Sequence, residues 1–329
     1  MILTKQASLQ NFIQAIETAI QNLDVHQLKP KGLYEPAGYL MNLGGKRIRP
    51  ALVLAAYSLF KDDFENAVPQ ALAVELFHNF TLAHDDIMDQ APYRRGKATI
   101  HTKWNINTGI LSGDLIMIKA YEHLVNCPSE QLPEIVKVFN TTAIRVCEGQ
   151  QFDMDFETAE NVSIEDYINM ISLKTAALLD GSLRIGAIRA NASDEAVDFI
   201  GNFGMNLGIA FQLQDDILDA YGDPEKFGKQ VGGDIIANKK TYLLLSALNL
   251  AKGETQVKLQ DLLKQTSNTK EKVNNVLSIY NQLNIKELAL QKMNEYYEAS
   301  LENLHKIEAS EELKEPLFKI LASLRLREI

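Results

Sequence analysis

The chain has 329 residues, of which 46% are hydrophobic and 23% are charged, and its formal net charge is −10. Its 18 glycines and 9 prolines make up about 8% of the chain, against an average near 12%, which excludes a turn-dense all-β sandwich and disfavours a glycine-rich nucleotide-binding fold. The acidic balance disfavours nucleic acid as a partner, because binding to a phosphate backbone needs a basic surface. No apolar run of 18 residues occurs and the N-terminus lacks a signal-peptide pattern, so we expect a cytoplasmic protein without stable membrane insertion.

Apolar residues recur at helical spacing along almost the whole chain, first between Leu9 and Ile20 and then between Leu52 and Leu59. No stretch alternates apolar and polar residues for long enough to predict a strand. We interpret the charged stretch from Lys252 to Lys272 as a solvated connection. The sequence therefore predicts one all-α domain over residues 1–329. The later predicted helices are Val136–Gln151, Ile164–Asn191, Ala196–Tyr221, Thr241–Lys252, Val257–Lys264, Glu271–Leu283, Ile285–Lys306 and Glu311–Arg327.

Two short acidic motifs share the pattern Asp-Asp-Ile-x-Asp and lie about 130 residues apart. The first aspartate box is Asp85–Asp89, the second aspartate box is Asp215–Asp219, and each follows an apolar helical run. Residues four apart share a helix face, so the outer aspartates of each box project together. Like charges at that spacing destabilise an isolated helix by about 0.2–0.5 kcal/mol per pair. Two such clusters therefore indicate that a cation binds.

Carboxylate oxygens are ligands that favour Mg²⁺ or Mn²⁺ over zinc. Because Mg²⁺ usually binds one or two carboxylates together with substrate phosphates, the boxes predict a phosphate or diphosphate ligand. A solvated acidic helix end would explain one box more simply, but it does not explain two matched boxes. An EF-hand calcium loop is excluded, because neither box has that loop's pattern.

Basic residues lie in a few short segments that could bind the anion. In Gly44–Pro50, three cations fall in four positions at a predicted helix start, where the helix dipole disfavours cations unless an anion is bound. Arg94–Lys97 follows Pro92, which ends the helix, so these side chains can fold back towards Asp85 and Asp89. Further cations follow the second box at Lys226, Lys229, Lys239 and Lys240, with Asp234 among them.

Four other residues are candidates from the sequence alone. Lys174 and Thr175 lie inside an apolar helical run, where the alternative is a surface lysine whose stem covers apolar groups. His78 is a candidate site residue, and His84 forms a His-Asp pair with Asp85, although isolated histidines are usually structural.

The motifs form an ordered series: Gly44–Pro50, Asp85–Asp89 with Arg94–Gly96, Lys174–Thr175, Phe211–Asp219, Gly228–Lys229 and Gly232–Asp234. This series resembles the trans-isoprenyl diphosphate synthases over about residues 38–242. The resemblance implies the isoprenoid synthase type I fold, a large all-α bundle around a deep central cavity, and a homodimer. It also implies a transferase that condenses isopentenyl diphosphate with an allylic diphosphate.

The resemblance also implies roles for single residues. Up to three Mg²⁺ ions, or alternatively Mn²⁺, would bind the box aspartates Asp85, Asp86, Asp89, Asp215, Asp216 and Asp219. The allylic diphosphate would bind Arg94, Lys174, Lys229 and Lys239. Isopentenyl diphosphate would bind Lys46, Arg49, His78 and Arg95. Asp234 would support the second box, and Arg325 and Arg327 would help to close the site.

The chemistry of the implied reaction agrees with these roles. Ionisation of an allylic C–O bond produces a carbocation and pyrophosphate, so metal ions and Lys or Arg side chains must stabilise the leaving oxygens. The carbocation needs a surrounding pocket free of water. Thr175 and Gln212 are candidate dipoles for stabilising it, which makes them, with Lys174, the expected catalytic residues. Pyrophosphate is the expected base for the final proton.

In the family that the sequence resembles, bulky residues four and five positions before the first box, about one helical turn away, form a floor that limits product length. Phe80 is aromatic, Thr81 is small, the box has no insertion, and Phe77 lies one turn further down. This combination resembles synthases with C20 products, so geranylgeranyl diphosphate is expected, with farnesyl diphosphate as the alternative. Phe77 and Phe80 could also be ordinary core residues.

Three other interpretations stay open from the sequence. An HD-type metal phosphohydrolase would use the His84–Asp85 pair but would leave the second box and the basic segments unexplained. A non-catalytic subunit of a heteromeric synthase would be expected to lose box aspartates, and all six are present. A terpene cyclase would not need the cations of Gly44–Pro50.

Overall fold

Helices account for most of the residues that the computed structural model describes, which are residues 7–25, 28–222 and 232–325. The first helices are α1 Leu9–Gln21, α2 Lys31–Met41, α3 Ile48–Ser58, α4 Val68–Met88, α5 Ile100–Lys103, α6 Ile106–Leu124 and α7 Leu132–Thr158. They continue as α8 Ile164–Ile171, α9 Ala177–Arg189, α10 Asp194–Tyr221, α11 Gly233–Ile236, α12 Tyr242–Leu250, α13 Glu254–Leu263, α14 Thr269–Gln282, α15 Ile285–His305 and α16 Glu311–Arg325. The all-α prediction is confirmed.

The chain forms two units, each assembled from separate stretches of sequence. The first comprises residues 1–140, 181–200 and 308–320, and the second comprises residues 141–180, 201–307 and 321–329. In the first unit α4 packs along α6 and against α3. In the second unit α14 packs against α11, α13 and α15. The prediction of one domain over residues 1–329 stays a prediction.

A short hairpin follows the first box, where the sequence predicted no strand. β1 (Tyr93–Arg94) pairs antiparallel with β2 (Lys97–Ala98), and the two turn residues, Arg95 and Gly96, have φ values of 51° and 74°. Positive φ at both positions is what a two-residue type I′ hairpin turn requires. Strands of two residues are too short to produce a detectable alternation in the sequence.

The predicted helix Ile164–Asn191 is interrupted at one point. A π-helical turn at Ser172–Ala176 separates α8 from α9. One extra residue shifts the apolar spacing only at a single turn, and the periodicity of a long helical run does not resolve so local a change.

The prediction of a solvated connection over Lys252–Lys272 is only partly correct. The stretch Lys252–Lys272 is not simply a solvated connection, since it contains α13 and ends on Lys272, which is only 2% exposed. Lys226, Lys229 and Arg327 lie outside the described residues.

Among the described residues, none of the helices combines the length and the apolar character needed to span a membrane.

Candidate active site

The first aspartate box lies at the C-terminal end of α4, behind a run of buried residues from Gln70 to Phe77. The helix ends at Met88, and Asp89 is its C-cap residue, with its N–H donating to the carbonyl of Asp85 at 2.8 Å. Asp85 is half-buried, Asp89 is exposed, and Asp86 is only 2% exposed. The box therefore presents its outer aspartates and buries the middle one.

Arg94 explains why Asp86 can be buried. The hairpin directs Arg94 back to the box, where Arg94 Nε donates to Asp86 Oδ1 at 2.7 Å. Burial raises the pKa of Asp86, and the attraction of Arg94 offsets part of that rise. Arg94 does fold back to the box, as the sequence predicted. Its contact is with Asp86 and not with Asp85 or Asp89, because the hairpin turn places the guanidinium beside the buried carboxylate.

The loop of Gly44–Pro50 has its conformation fixed by a buried arginine. Gly44, Gly45 and Arg47 have positive φ values of 80°, 144° and 51°. Arg47 is 4% exposed and forms ion pairs with Glu75 at 2.5 Å and with Glu17 at 2.8 Å. Arg47 is therefore an anchor for the loop, with its guanidinium paired to two carboxylates.

All four residues predicted to bind isopentenyl diphosphate lie in this loop or beside it. Arg49 donates to Nε2 of His78 at 3.3 Å. Arg95 covers Gly45 so closely that a Cβ on Gly45 would lie 2.8 Å from a guanidinium nitrogen. Lys46 is in the loop itself and is exposed. The first unit thus holds the predicted cations in one region.

His78 is neutral in this setting. Loss of contact with water, followed by repulsion from Arg49, Arg95 and two further arginines, holds the pKa of His78 well below its ordinary value of 6.5. Arginine can only donate, so His78 Nε2 is the acceptor and Nδ1 carries the proton. His84 makes different contacts. Its Nε2 lies 3.3 Å from the carbonyl oxygen of Ile110, and its ring packs on Gly113.

Phe77 and Phe80, two of the residues predicted to limit product length, form a row of aromatic rings with His84 on α4. Phe80 is half-buried, with its ring 4.7 Å from that of His84 and 5.8 Å from that of Phe77. Phe77 is fully buried and packs edge-on against Phe139 at 5.3 Å. The hydroxyl of Thr81 donates to the carbonyl of His78 at 2.8 Å.

The second aspartate box ends α10 and repeats the arrangement of the first. Asp216 is 5% exposed, whereas Asp215 and Asp219 are half-buried. The hydroxyl of Tyr167 donates to Asp216, and so does Gln212 Nε2, at 3.1 Å. Burial, and then the charge of Asp234, raises the pKa of Asp216 to about 7, while the two hydrogen bonds act in the opposite direction.

Asp234 does lie beside the second box, as the sequence predicted. Its backbone N–H donates to Asp219 Oδ2 at 2.9 Å, and the N–H of Gly232 donates to the carbonyl of Asp219 at 2.6 Å. A cavity of about 10 Å³, room for roughly one water, is lined by residues that include Asp216, Asp219, Asp234 and Lys239.

The π turn carries Lys174 and Thr175 into contact with the same region of the second unit. Thr175 donates from its hydroxyl to Gln212 Oε1 at 3.0 Å, and Gln212 in turn donates to Asp216. Lys174 Nζ donates to Asp153 Oδ2 at 2.5 Å, and Lys239 Nζ lies 3.7 Å from the same oxygen. Lys174 is therefore ion-paired and is not a free surface lysine.

Sequence reasoning missed Asp153. Burial by itself would raise the pKa of this carboxyl group, but Lys239 and Lys174 outweigh burial and lower the pKa. One signal for it was present in the sequence. Asp153 lies in the same helical run as Gly149, and a glycine inside a helix weakens the helix and therefore indicates close packing.

Two glycines hold the π turn from neighbouring helices. A Cβ on Gly149 of α7 would lie 2.2 Å from the backbone N of Lys174, and a Cβ on Gly208 of α10 would lie 2.5 Å from Cα of Ala176. Real Cβ atoms do not approach other atoms so closely, so both positions need glycine.

The acidic residues suit Mg²⁺ that shares its coordination with a ligand. Within residues 7–25, 28–222 and 232–325, no three Asp, Glu, His or Cys side chains converge closely enough to hold an ion alone. Mg²⁺ normally takes one or two carboxylates and completes its octahedron with waters and phosphate oxygens. The outer aspartates of each box offer one or two carboxylates of that kind, and the donor set therefore fits the ion.

A helical fold, two aspartate boxes and separate clusters of cations suit an enzyme that acts on a diphosphate. The polyprenyl synthetase family profile matches residues 30–280. A short chain isoprenyl diphosphate synthase of Methanocaldococcus jannaschii is 38% identical over 270 residues, 82% of this chain and 81% of that protein. A geranylfarnesyl diphosphate synthase of Natronomonas pharaonis is 36% identical over 237 residues, 67% of this chain and 70% of that protein.

The fold comparison agrees. A crystal structure of a geranylgeranyl pyrophosphate synthase superposes with a TM-score of 0.92 at 40% identity, covering 97% of this chain and 98% of the other. The chain belongs to the polyprenyl synthetase family and is a trans-prenyltransferase.

Proposed function

We propose that this enzyme condenses isopentenyl diphosphate with allylic diphosphates to make short-chain all-trans prenyl diphosphates, with geranylgeranyl diphosphate as the main product. The observation that carries the proposal is the cluster of Arg49, His78 and Arg95 around the loop of Gly44–Pro50. A diphosphate hydrolase or a terpene cyclase has no use for a second anion site. A condensing enzyme needs one for the substrate that is not ionised.

The aspartate boxes would hold the metal. Asp85, Asp89, Asp215 and Asp219 are the less buried members and would provide ligand oxygens. Bound Mg²⁺ would supply positive charge to the diphosphate that leaves.

The middle aspartates would act in a different way. Asp86 is already bonded to Arg94, and Asp216 to Tyr167 and Gln212, so both would keep their neighbours in position. Asp86 and Asp216 would therefore be positioning residues, and the outer aspartates would be the metal ligands.

The cations of the second unit would bind the allylic diphosphate. Asp153 keeps the ammonium groups of Lys174 and Lys239 close together, although the two would otherwise repel each other. Paired ammonium groups stabilise the negative charge that develops on leaving phosphate oxygens. The Thr175 hydroxyl and the Gln212 amide are joined by a hydrogen bond and would stabilise the allylic cation as dipoles.

The neutral state of His78 suits the isopentenyl site. A charged imidazole would add to the repulsion among the arginines before any anion is bound. As an acceptor, His78 instead orients one N–H of Arg49 and so helps to hold the guanidinium in place.

The C20 assignment is supported by Phe80. Its half-buried ring lies one to two turns before the first box, while Phe77 is already buried against Phe139. Phe80 is thus the more accessible of the two and would form the floor of the prenyl pocket. A C15 product is the alternative, and the relatives include a C25 synthase by name.

The enzyme would act as a homodimer. On α6 the large apolar side chains of Ile106, Ile110, Leu111 and Ile118 are exposed and cluster on one side of the helix. An exposed apolar stripe of this kind marks a contact surface. Ile118→Lys should shift the protein from dimer to monomer in sedimentation. The control Val257→Lys, at an exposed apolar residue of α13, should leave the dimer intact. Equal behaviour of the two variants would refute the assignment of this face of α6 as the dimer contact.

The test of the proposed function uses the purified chain with isopentenyl diphosphate, Mg²⁺ and C5, C10 or C15 allylic diphosphate, followed by product sizing. The proposal predicts all-trans products ending mainly at C20 and none after chelation of the metal. Release of phosphate from the allylic substrate without elongation would favour a hydrolase. Cyclic hydrocarbons would favour a cyclase, and inactivity of the chain alone would favour a non-catalytic subunit.

A further inference from the structure

Lys272 is a buried lysine in α14 that lies outside every predicted motif. Only 2% of it is exposed, although lysine is almost never fully buried unless it is paired. Its ammonium donates to three uncharged oxygens: the carbonyl of Ile236 at 3.2 Å, Oδ1 of Asn238 at 2.7 Å and the carbonyl of Gln265 at 3.3 Å. Three donors thus meet three acceptors, which is the full capacity of an ammonium group.

Two of those acceptors belong to residues 232–241, which we name the Asp234 loop. This loop contains α11 and the turn after it, and it carries both Asp234 and Lys239. At its beginning it is bonded to Asp219 through the N–H groups of Gly232 and Asp234. At its other end the bonds to Lys272 hold it.

Asn238 makes this second attachment specific. Its φ of 54° places it in the left-handed region, and its Nδ2 donates to the carbonyl of Leu263 at 2.8 Å while its Oδ1 accepts from Lys272. The next residue, Lys239, donates its backbone N–H to the carbonyl of Asp234 at 2.9 Å. The position of the Lys239 side chain, 3.7 Å from Asp153, therefore depends on a turn that Lys272 and Asn238 fix.

We infer that Lys272 is a positioning residue for the allylic diphosphate site, acting through Asn238 and the Asp234 loop on Lys239 and Asp219. This inference rests on the proposed function of the second box and its cations. Loss of the ammonium would leave the carbonyl of Ile236 and Oδ1 of Asn238 without a buried donor, and such groups are costly to leave unpaired. The turn would move towards other partners and displace Lys239.

The first test measures amide hydrogen exchange of the metal-free, substrate-free enzyme. In Lys272→Met the amides of residues 232–241, and that of Lys239 in particular, should exchange at least tenfold faster than in the wild-type enzyme. The matched control is Lys270→Met, an exposed lysine two positions earlier on the same helix, which should exchange as the wild type does. Wild-type exchange in Lys272→Met would overturn the inference.

The second test measures steady-state kinetics. Lys272→Met should raise KM for the allylic diphosphate about tenfold and leave KM for isopentenyl diphosphate within about twofold, since the Asp234 loop contains none of the predicted isopentenyl residues. An equal loss for both substrates, or no loss, would overturn the inference.

Asn238 supplies the variants that keep the inference testable if Lys272→Met folds poorly. Asn238→Gly tolerates the positive φ but removes both side-chain bonds, and it should reproduce the kinetics of Lys272→Met. Asn238→Asp keeps an oxygen for Lys272 but loses the Nδ2 bond to the carbonyl of Leu263, so its KM for the allylic diphosphate should lie between those of the wild type and of Asn238→Gly. The opposite ranking would overturn the inference. Exchange requires no substrate, so its failure counts against Lys272 alone, whereas a wild-type enzyme that makes no prenyl product overturns the proposed function.

Discussion

Gly149→Ala should slow the condensation without unfolding the protein. The new Cβ would lie 2.2 Å from the backbone N of Lys174, where ordinary contact begins at 3.4 Å, so α7 and the π turn must separate by about 1 Å. A displacement of that size at catalytic groups costs on the order of 100-fold in rate. Overpacking should lower the free energy of unfolding by only about 1–3 kcal/mol.

The assay for Gly149→Ala combines kcat at saturating substrates with the midpoint of urea unfolding. Gly208→Ala, which would place a Cβ 2.5 Å from Cα of Ala176, should give a similar loss of kcat. Gly32→Ala in α2 is the matched control, since nothing lies within 4 Å of its Cβ, and it should leave kcat unchanged. A kcat for Gly149→Ala within twofold of the wild-type value would refute the role of the glycines in holding the π turn.

The remaining predictions concern the first unit. Phe80→Ala should lengthen the products beyond C20 by at least one C5 unit, as chromatography of the dephosphorylated alcohols would show, while an unchanged product spectrum would exclude Phe80 as the floor. Arg47→Met should lower the free energy of unfolding by about 3–5 kcal/mol, because it leaves Glu75 buried without its partner, and a loss below 1 kcal/mol in urea unfolding would contradict this. His78 stays neutral in the folded protein but takes up a proton in the unfolded chain below pH 6.5. The free energy of unfolding should therefore fall as the pH falls through 6.5, by at most about 1.4 kcal/mol per pH unit. His78→Gln should remove that component of the pH dependence.

The sequence predicted the helices and much of the candidate site because both depend on short-range patterns. Apolar spacing placed α10 and α15 within a few residues of their observed bounds. The family resemblance implied that Arg49, His78 and Arg95 share one ligand, and the first unit does bring these residues together.

Features that depend on contacts between distant residues were not predictable from one sequence. The ion pair of Lys174 with Asp153 joins positions 21 apart, and the attachment of Lys272 to the Asp234 loop spans 34 residues to Asn238. The burial of Asp86 and Asp216 could not be predicted either, because their neighbours in sequence are equally acidic. What separates them from the outer aspartates is a partner elsewhere, Arg94 in one case and Tyr167 in the other.

The most direct test of prenyl transfer is the stoichiometry of pyrophosphate release. The wild-type enzyme, given Mg²⁺, an allylic diphosphate and radiolabelled isopentenyl diphosphate, should release one pyrophosphate for each isopentenyl unit incorporated. It should release almost none when isopentenyl diphosphate is omitted. Pyrophosphate or phosphate release that does not depend on isopentenyl diphosphate, with no label in a longer prenyl chain, would contradict the account.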